Sequence, residues 1–167
     1  MVLKTLIISF ALIISLETPS IYSITKKRAD KVMSKYWEDE EYYLTRVSFS
    51  SPEQPEIYSV QQGNSKPFAF VLFAEAMGKV DTFTYLIIFK PDGIIEKVSV
   101  LLYRENYGGE IGSKRFLRQF EGKSNGVNLE YNQDIDGISG ATISVQAITR
   151  DIRENSITFS KLIEQFK

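Results

Sequence analysis

The sequence predicts an α+β fold: an antiparallel sheet with an N-terminal helix and C-terminal helices, in a single domain. Three observations carry that reading. Apolar runs of strand length crowd the middle of the chain, at residues 57–62, 68–77, 83–89 and 94–104. The turn residues Pro91-Asp92-Gly93 separate the last two runs, which favours an antiparallel hairpin. Helical spacing of apolar residues occurs before and after these runs and not between them, so the order is helix, strands, helices and not an alternating βαβ pattern.

The elements follow in order. Residues 24–37 read as a first helix, with Ala29, Val32, Met33 and Tyr36 at helical spacing. The acidic stretch 38–41 reads as a solvated face. Residues 42–49 alternate well enough for a strand, and 50–55 form a loop with two prolines. After the four apolar runs the pattern changes. ENYGGEIG, residues 105–112, is a loop with three glycines, and 113–120 reads as a short helix with Phe116, Leu117 and Phe120 on one face. Residues 122–126 make a turn, and 127–136 are extended or loop. From Thr142 a helix carries Val145, Ile148 and Ile152 on one side; Phe159, Leu162, Ile163 and Phe166 continue the stripe after a break expected near Asn155.

Composition narrows the chemistry. The chain has no Cys, which removes disulfides, thiolate metal sites, iron–sulfur clusters and Cys nucleophiles. It has no His either, which removes a Ser-His-Asp hydrolase and His-ligated haem. Redox chemistry here would therefore rest on an organic cofactor. The formal net charge is -1 and the basic residues are scattered, so nothing asks for nucleic acid as a partner.

The N-terminus reads as a targeting segment. Lys4 supplies a positive charge, LIISFALIISL (6–16) is an apolar run, and Glu17 and the breaker Pro19 follow. A bilayer span needs about 20 apolar residues, so the shorter run matches a secretory signal over residues 1–23, with cleavage after Ser20 or Ser23, and a domain over 24–167. The rivals are an uncleaved membrane anchor and a buried N-terminal helix. Either export route puts the domain on the periplasmic or extracytoplasmic membrane face.

The stretch DGISGAT, 136–142, admits two readings. Asp136 and Ser139 are capping-type residues and Gly140 suits a turn, which is a sufficient structural account. The second reading is chemical. Gly140 and Ala141 leave the backbone bare, so a ligand can lie against it. Thr142 stands where a helix starts, and unsatisfied N–H groups there favour a phosphate. Its hydroxyl has no acidity of its own at neutral pH, so a separate catalyst would have to activate it.

Asp136, Ser139, Gly140, Ala141 and Thr142, as DxxSGAT, resemble the covalent flavinylation motif of the FMN-binding domain family. That family includes the flavin-carrying subunits of the sodium-pumping NADH:quinone oxidoreductase and of the Rnf complex, and small exported flavoproteins. A second segment, residues 103–123, is similar to the family's glycine-containing loop and the Phe-x-x-Gln-Phe-x-Gly that follows it, here Phe116, Gln119, Phe120 and Gly122. The resemblance spans roughly residues 80–165. It implies FMN carried in phosphoester linkage on Thr142, put there from FAD by a flavin transferase, with Asp136, Ser139, Gly140 and Ala141 as recognition and close-packing positions. It also implies an electron carrier served by a membrane-bound reductase or another redox partner. Tyr107 is a candidate to stack on the flavin ring, or a packing residue. Gly108 and Gly109 of the same loop are candidate cofactor-binding positions, and Glu110 or Arg104 are candidates to bond the ring or the phosphate. The family's pump subunits usually carry a Glu-Thr-Pro-Gly-type loop here; this chain has Glu105-Asn106-Tyr107-Gly108-Gly109, without Pro, which favours the small exported members. Two alternatives stay open: a flavin-dependent reductase of a small substrate, and a non-catalytic interaction domain that has kept the fold.

Overall fold

The apolar runs in the middle of the chain pair, in sequence order, into one sheet. The computed structural model describes residues 19–38, 40–49 and 55–164. Strands β1 (Tyr43–Arg46), β2 (Glu56–Gln61), β3 (Ala69–Met77), β4 (Thr82–Phe89) and β5 (Ile95–Leu102) form an antiparallel meander in the order β1-β2-β3-β4-β5. Register is set by apolar pairs across the centre, such as Phe73 opposite Leu86 and Leu72 opposite Ile87.

Both faces of the sheet are covered, which explains why the central strands read as nearly unbroken apolar runs; a half-solvated sheet would alternate. Leu72, Tyr85, Ile87 and Phe89 point to one core, shared with helix α3 (Thr142–Ile163). Val71, Phe73, Leu86 and Ile88 point to the other, shared with helix α1 (Ile21–Tyr36). Phe159 of α3 stacks on Phe89 with ring centres 4.2 Å apart. On the opposite face Tyr22 of α1 meets the edge of Tyr58 at 5.1 Å. A fully buried Phe side chain contributes about 1.5–3 kcal/mol of transfer free energy, so Phe159 is a major attachment of α3 to the sheet.

Several boundaries differ from the sequence reading, each for a local reason. Helix α1 begins at Ile21, three residues earlier than the apolar spacing indicates, because Ser20 caps it by accepting from Ser23 N–H, and the Glu56 carboxylate takes the Ile21 N–H at 2.7 Å. Strand β1 is shorter than residues 42–49 and lies at the sheet edge, although Val47 N–H still bonds Ile57 O. The helix expected over 113–120 is one turn, α2 (Lys114–Leu117), between 3-10 turns at Gly109–Gly112 and Arg118–Phe120; Phe116, Leu117 and Phe120 are nonetheless buried. Helix α3 runs unbroken through Asn155, whose side-chain amide bonds the Asp151 carboxylate and the Tyr85 hydroxyl and leaves the backbone ladder intact. Residues 127–136 are irregular, with Asn128 and Asn132 in the left-handed region.

The targeting run and its charged flank, most of the loop at 50–55 and Phe166 lie outside the described residues. No helix among the described residues is long and apolar enough to cross a membrane.

Candidate functional site

Helix α3 starts at Thr142 without a side-chain cap. Its N-cap is Ala141, in a non-helical conformation at φ -117°, and neither Asp136 nor Ser139 bonds into the first turn. The structural account of the motif as a capping sequence therefore does not describe this helix. The first intrahelical bond is Val145 N–H to Ala141 O, at 2.9 Å. The N–H groups of Thr142, Ile143 and Ser144 precede it and belong to the orphan donors of a helix start. Thr142 is exposed there, whereas Ser144, further round the same turn, is buried.

Gly140 holds the chain in the left-handed region, φ +84°, and a Cβ built on it would meet no atom within 4 Å. The residue is glycine because the backbone turns there; the space beside it is open. That combination leaves bare main chain on the cleft, two residues before Thr142.

The loop before α2 closes onto this helix start. Tyr103 donates its hydroxyl to Tyr107 O at 2.6 Å, and it shares a hydrogen bond with the Ser144 hydroxyl at 2.9 Å. Gly108 sits over the pair at φ +87°, where a Cβ would come within 2.6 Å of both hydroxyl oxygens. In a loop that has no Pro, these contacts set the shape. On its other side Glu105 accepts the N–H groups of Val80 and Asp81 in the β3–β4 turn.

Three segments thus meet around one open cleft of about 770 Å³: the β3–β4 turn with Lys79, Val80 and Asp81, the loop from Arg104 to Gly108, and the start of α3 from Gly140 to Ser144. Small-molecule sites typically occupy roughly 300–1,000 Å³. Of the residues expected from sequence, Thr142, Gly140, Ala141, Tyr107 and Gly108 line this cleft. Asp136, Ser139 and Glu110 do not. They line a second groove of about 530 Å³, together with Arg115 and Gln119. Gln119 reaches the motif there, its side-chain oxygen accepting the Asp136 N–H at 2.8 Å. Gly109 begins the 3-10 turn and packs on the Tyr103 ring.

The cleft's polar groups divide into used and available. Arg104 is spent on the sheet: its guanidinium bonds Thr82 O at 2.9 Å and pairs with Glu75 at 3.2 Å. The carboxyl of Glu105 is held below its usual range by the N–H groups of Val80 and Asp81. Lys79 makes no ion pair among the described residues; its charge helps hold the Glu105 carboxyl down, and it stands on the cleft wall as a cation. Apolar surface is also available, since Tyr107 is 84% exposed and Val80 is 76% exposed. The residues present therefore suit a ligand with a phosphate and a flat ring: uncapped N–H donors and a lysine for the first, a tyrosine and a valine for the second. Sequence reasoning missed the wall at Lys79 and Val80. GKVD between two apolar runs reads as a turn, but nothing local brings it to residue 142.

Residues 78–154 match the family model of the FMN-binding domain, and that span holds all three cleft segments. Over 104 residues the chain is 31% identical to one of the subunits of the proton-translocating ferredoxin:NAD(+) oxidoreductase complex of Clostridium ljungdahlii; the match covers 58% of this chain and 56% of that relative. The chain thus spans little more than half the length of this curated relative. The crystal structure of Shewanella oneidensis NqrC superposes with a TM-score of 0.54 at 17% identity, covering 72% of this chain and 68% of the other, a likeness of fold.

Proposed function

The chain belongs, over residues 78–154, to the FMN-binding domain family, and from that premise we propose that it is an exported electron-transfer flavoprotein carrying FMN covalently on Thr142. The carrying observation is the position of Thr142: exposed, the first residue of an uncapped helix, two residues after the bare backbone at Gly140 and on the wall of the cleft.

Each residue has a part. Thr142 Oγ1 would hold the group as its phosphoester oxygen, giving up its proton to a transferase; transfer from FAD would break the phosphoanhydride bond, with AMP as the leaving group. The N–H groups of the first α3 turn and the Lys79 ammonium offset the remaining phosphate charge. Tyr107 and Val80 offer the apolar surface for the ring. Ser144 does not compete for modification, because it is buried and engaged with Tyr103. When bound, the flavin supplies the electron acceptance and donation that a chain without His or Cys lacks. The openness of the cleft suits exchange of electrons with a partner protein. The relationship to a component of a proton-translocating oxidoreductase complex supports a membrane-bound redox partner, and the apolar run 6–16 supports export.

The test is intact mass after co-expression with a flavin transferase. Wild type should gain the mass of FMN less one water, and Thr142→Ala should gain nothing. A flavinylated Thr142→Ala would remove the site assignment, and an unmodified wild type would remove the covalent reading.

A further inference from the structure

The cleft is assembled from segments far apart in sequence, and one side chain joins two of its walls. Glu105 lies in the loop that carries Tyr107, yet a single carboxylate oxygen, Oε1, accepts from Val80 N–H at 2.9 Å and from Asp81 N–H at 3.0 Å. Those two amides belong to the β3–β4 turn, closed by Gly78 N–H to Asp81 O at 2.9 Å. Arg104, which also lines the cleft, ties the loop to Thr82 on the strand itself, whereas Glu105 holds the amides of the turn.

Gly78 makes the arrangement specific. A Cβ built at this position would overlap Glu105 Oε1 and stand 3.0 Å from Asp81 O. The turn therefore leaves out a side chain at the place the carboxylate occupies. On the far side of the loop, Tyr103 holds Tyr107 O and Ser144. The loop is pinned at one end to the hairpin and at the other to α3.

We propose that Glu105 is a positioning residue that sets the β3–β4 turn against the Tyr107 loop, and with it the spacing of Lys79 and Val80 from Tyr107 and Thr142. It touches no ligand in this role. The proposal rests on the flavin reading only for what the cleft holds, since the clasp can be tested without flavin.

The experiment follows amide hydrogen exchange at Val80 and Asp81 by NMR, thermal stability, and the initial rate of flavin loading measured by intact mass on co-expressed protein. Glu105→Ala should speed exchange of these two amides several-fold and slow loading, with the melting temperature close to wild type. Glu105→Gln should restore both, because one oxygen takes both bonds and Gln retains an acceptor oxygen. Gly78→Ala should reproduce Glu105→Ala by displacing the carboxylate. The double variant should be no worse than either single, as expected when two changes break one contact. Unchanged exchange in Glu105→Ala would overturn the proposal, as would additive effects in the double variant or loading that stays at the wild-type rate while the amides open. If wild type itself takes no flavin, the flavin reading falls, and the exchange data still decide whether the clasp exists.

Discussion

Gly140 offers the sharpest separation of backbone from ligand effects. It sits at φ +84° with no atom within 4 Å of the place a Cβ would occupy. Any loss of stability on substitution therefore comes from main-chain conformation and not from collision within the protein. A left-handed non-glycine residue costs about 1–2 kcal/mol, and for a chain of this size each kcal/mol moves the melting temperature by about 2–4 °C, so Gly140→Ala should lower it by about 2–8 °C. Gly140→Asn should fall less, since Asn tolerates this region, and Asn125, Asn128 and Asn132 already occupy it here. Gly140→Val should fall most, because a β-branched residue at positive φ is a true outlier. Flavin loading should follow a different rule. A branched side chain at Gly140 would enter the cleft that Thr142 also lines, so Val should block attachment while circular dichroism stays close to wild type. The assay is thermal unfolding in parallel with intact mass after co-expression. A Val variant that melts like wild type would refute the conformational argument, and one that loads fully would refute the close-approach argument.

Burial raises the Asp151 carboxyl above its ordinary value of 3.8, against the lowering effect of the Tyr85 hydroxyl that donates to it. A raised folded value means that its stabilising contribution is complete below pH 3.8 and is lost as pH rises through the folded value. The unfolding free energy of wild type minus that of Asp151→Asn should therefore decline as pH rises from the ordinary Asp value toward neutrality; a flat or rising difference in denaturant titrations would refute it. Thr142→Ser keeps a hydroxyl but has freer rotamers, so partial flavin loading is expected by mass, and loading as fast as wild type would show that the β-branch does not help place the oxygen. Leu12→Arg should interrupt the apolar run and hold the full-length chain in the cytoplasm, read by fractionation and immunoblot; unimpaired export of the variant would refute the targeting reading.

Much of this architecture was legible because it is local. FTYLIIF and IIEKVSVLLYR around Pro-Asp-Gly declare a hairpin, and Val145, Ile148 and Ile152 declare a helix face, since burial of one face imposes a period that survives in the sequence. The start of α3 at Thr142 was visible for the same reason, and DxxSGAT beside it carried the family. The joining of distant segments was not visible. Whether Asp136 and Ser139 share a cavity with Thr142 depends on which side of one left-handed glycine each lies, and the structure sends them to a separate groove with Gln119. Lys79 and Val80 became a wall because the antiparallel ladder returns the chain beside the end of β5, where Glu105 takes their turn's amides. Arg104, a candidate for ligand contact by its place in the loop, is consumed by Glu75 and Thr82, both remote in sequence and brought near only by strand pairing. Periodicity and motif record what each segment does by itself; which side chains remain free to meet a ligand is decided by the contacts that packing completes first.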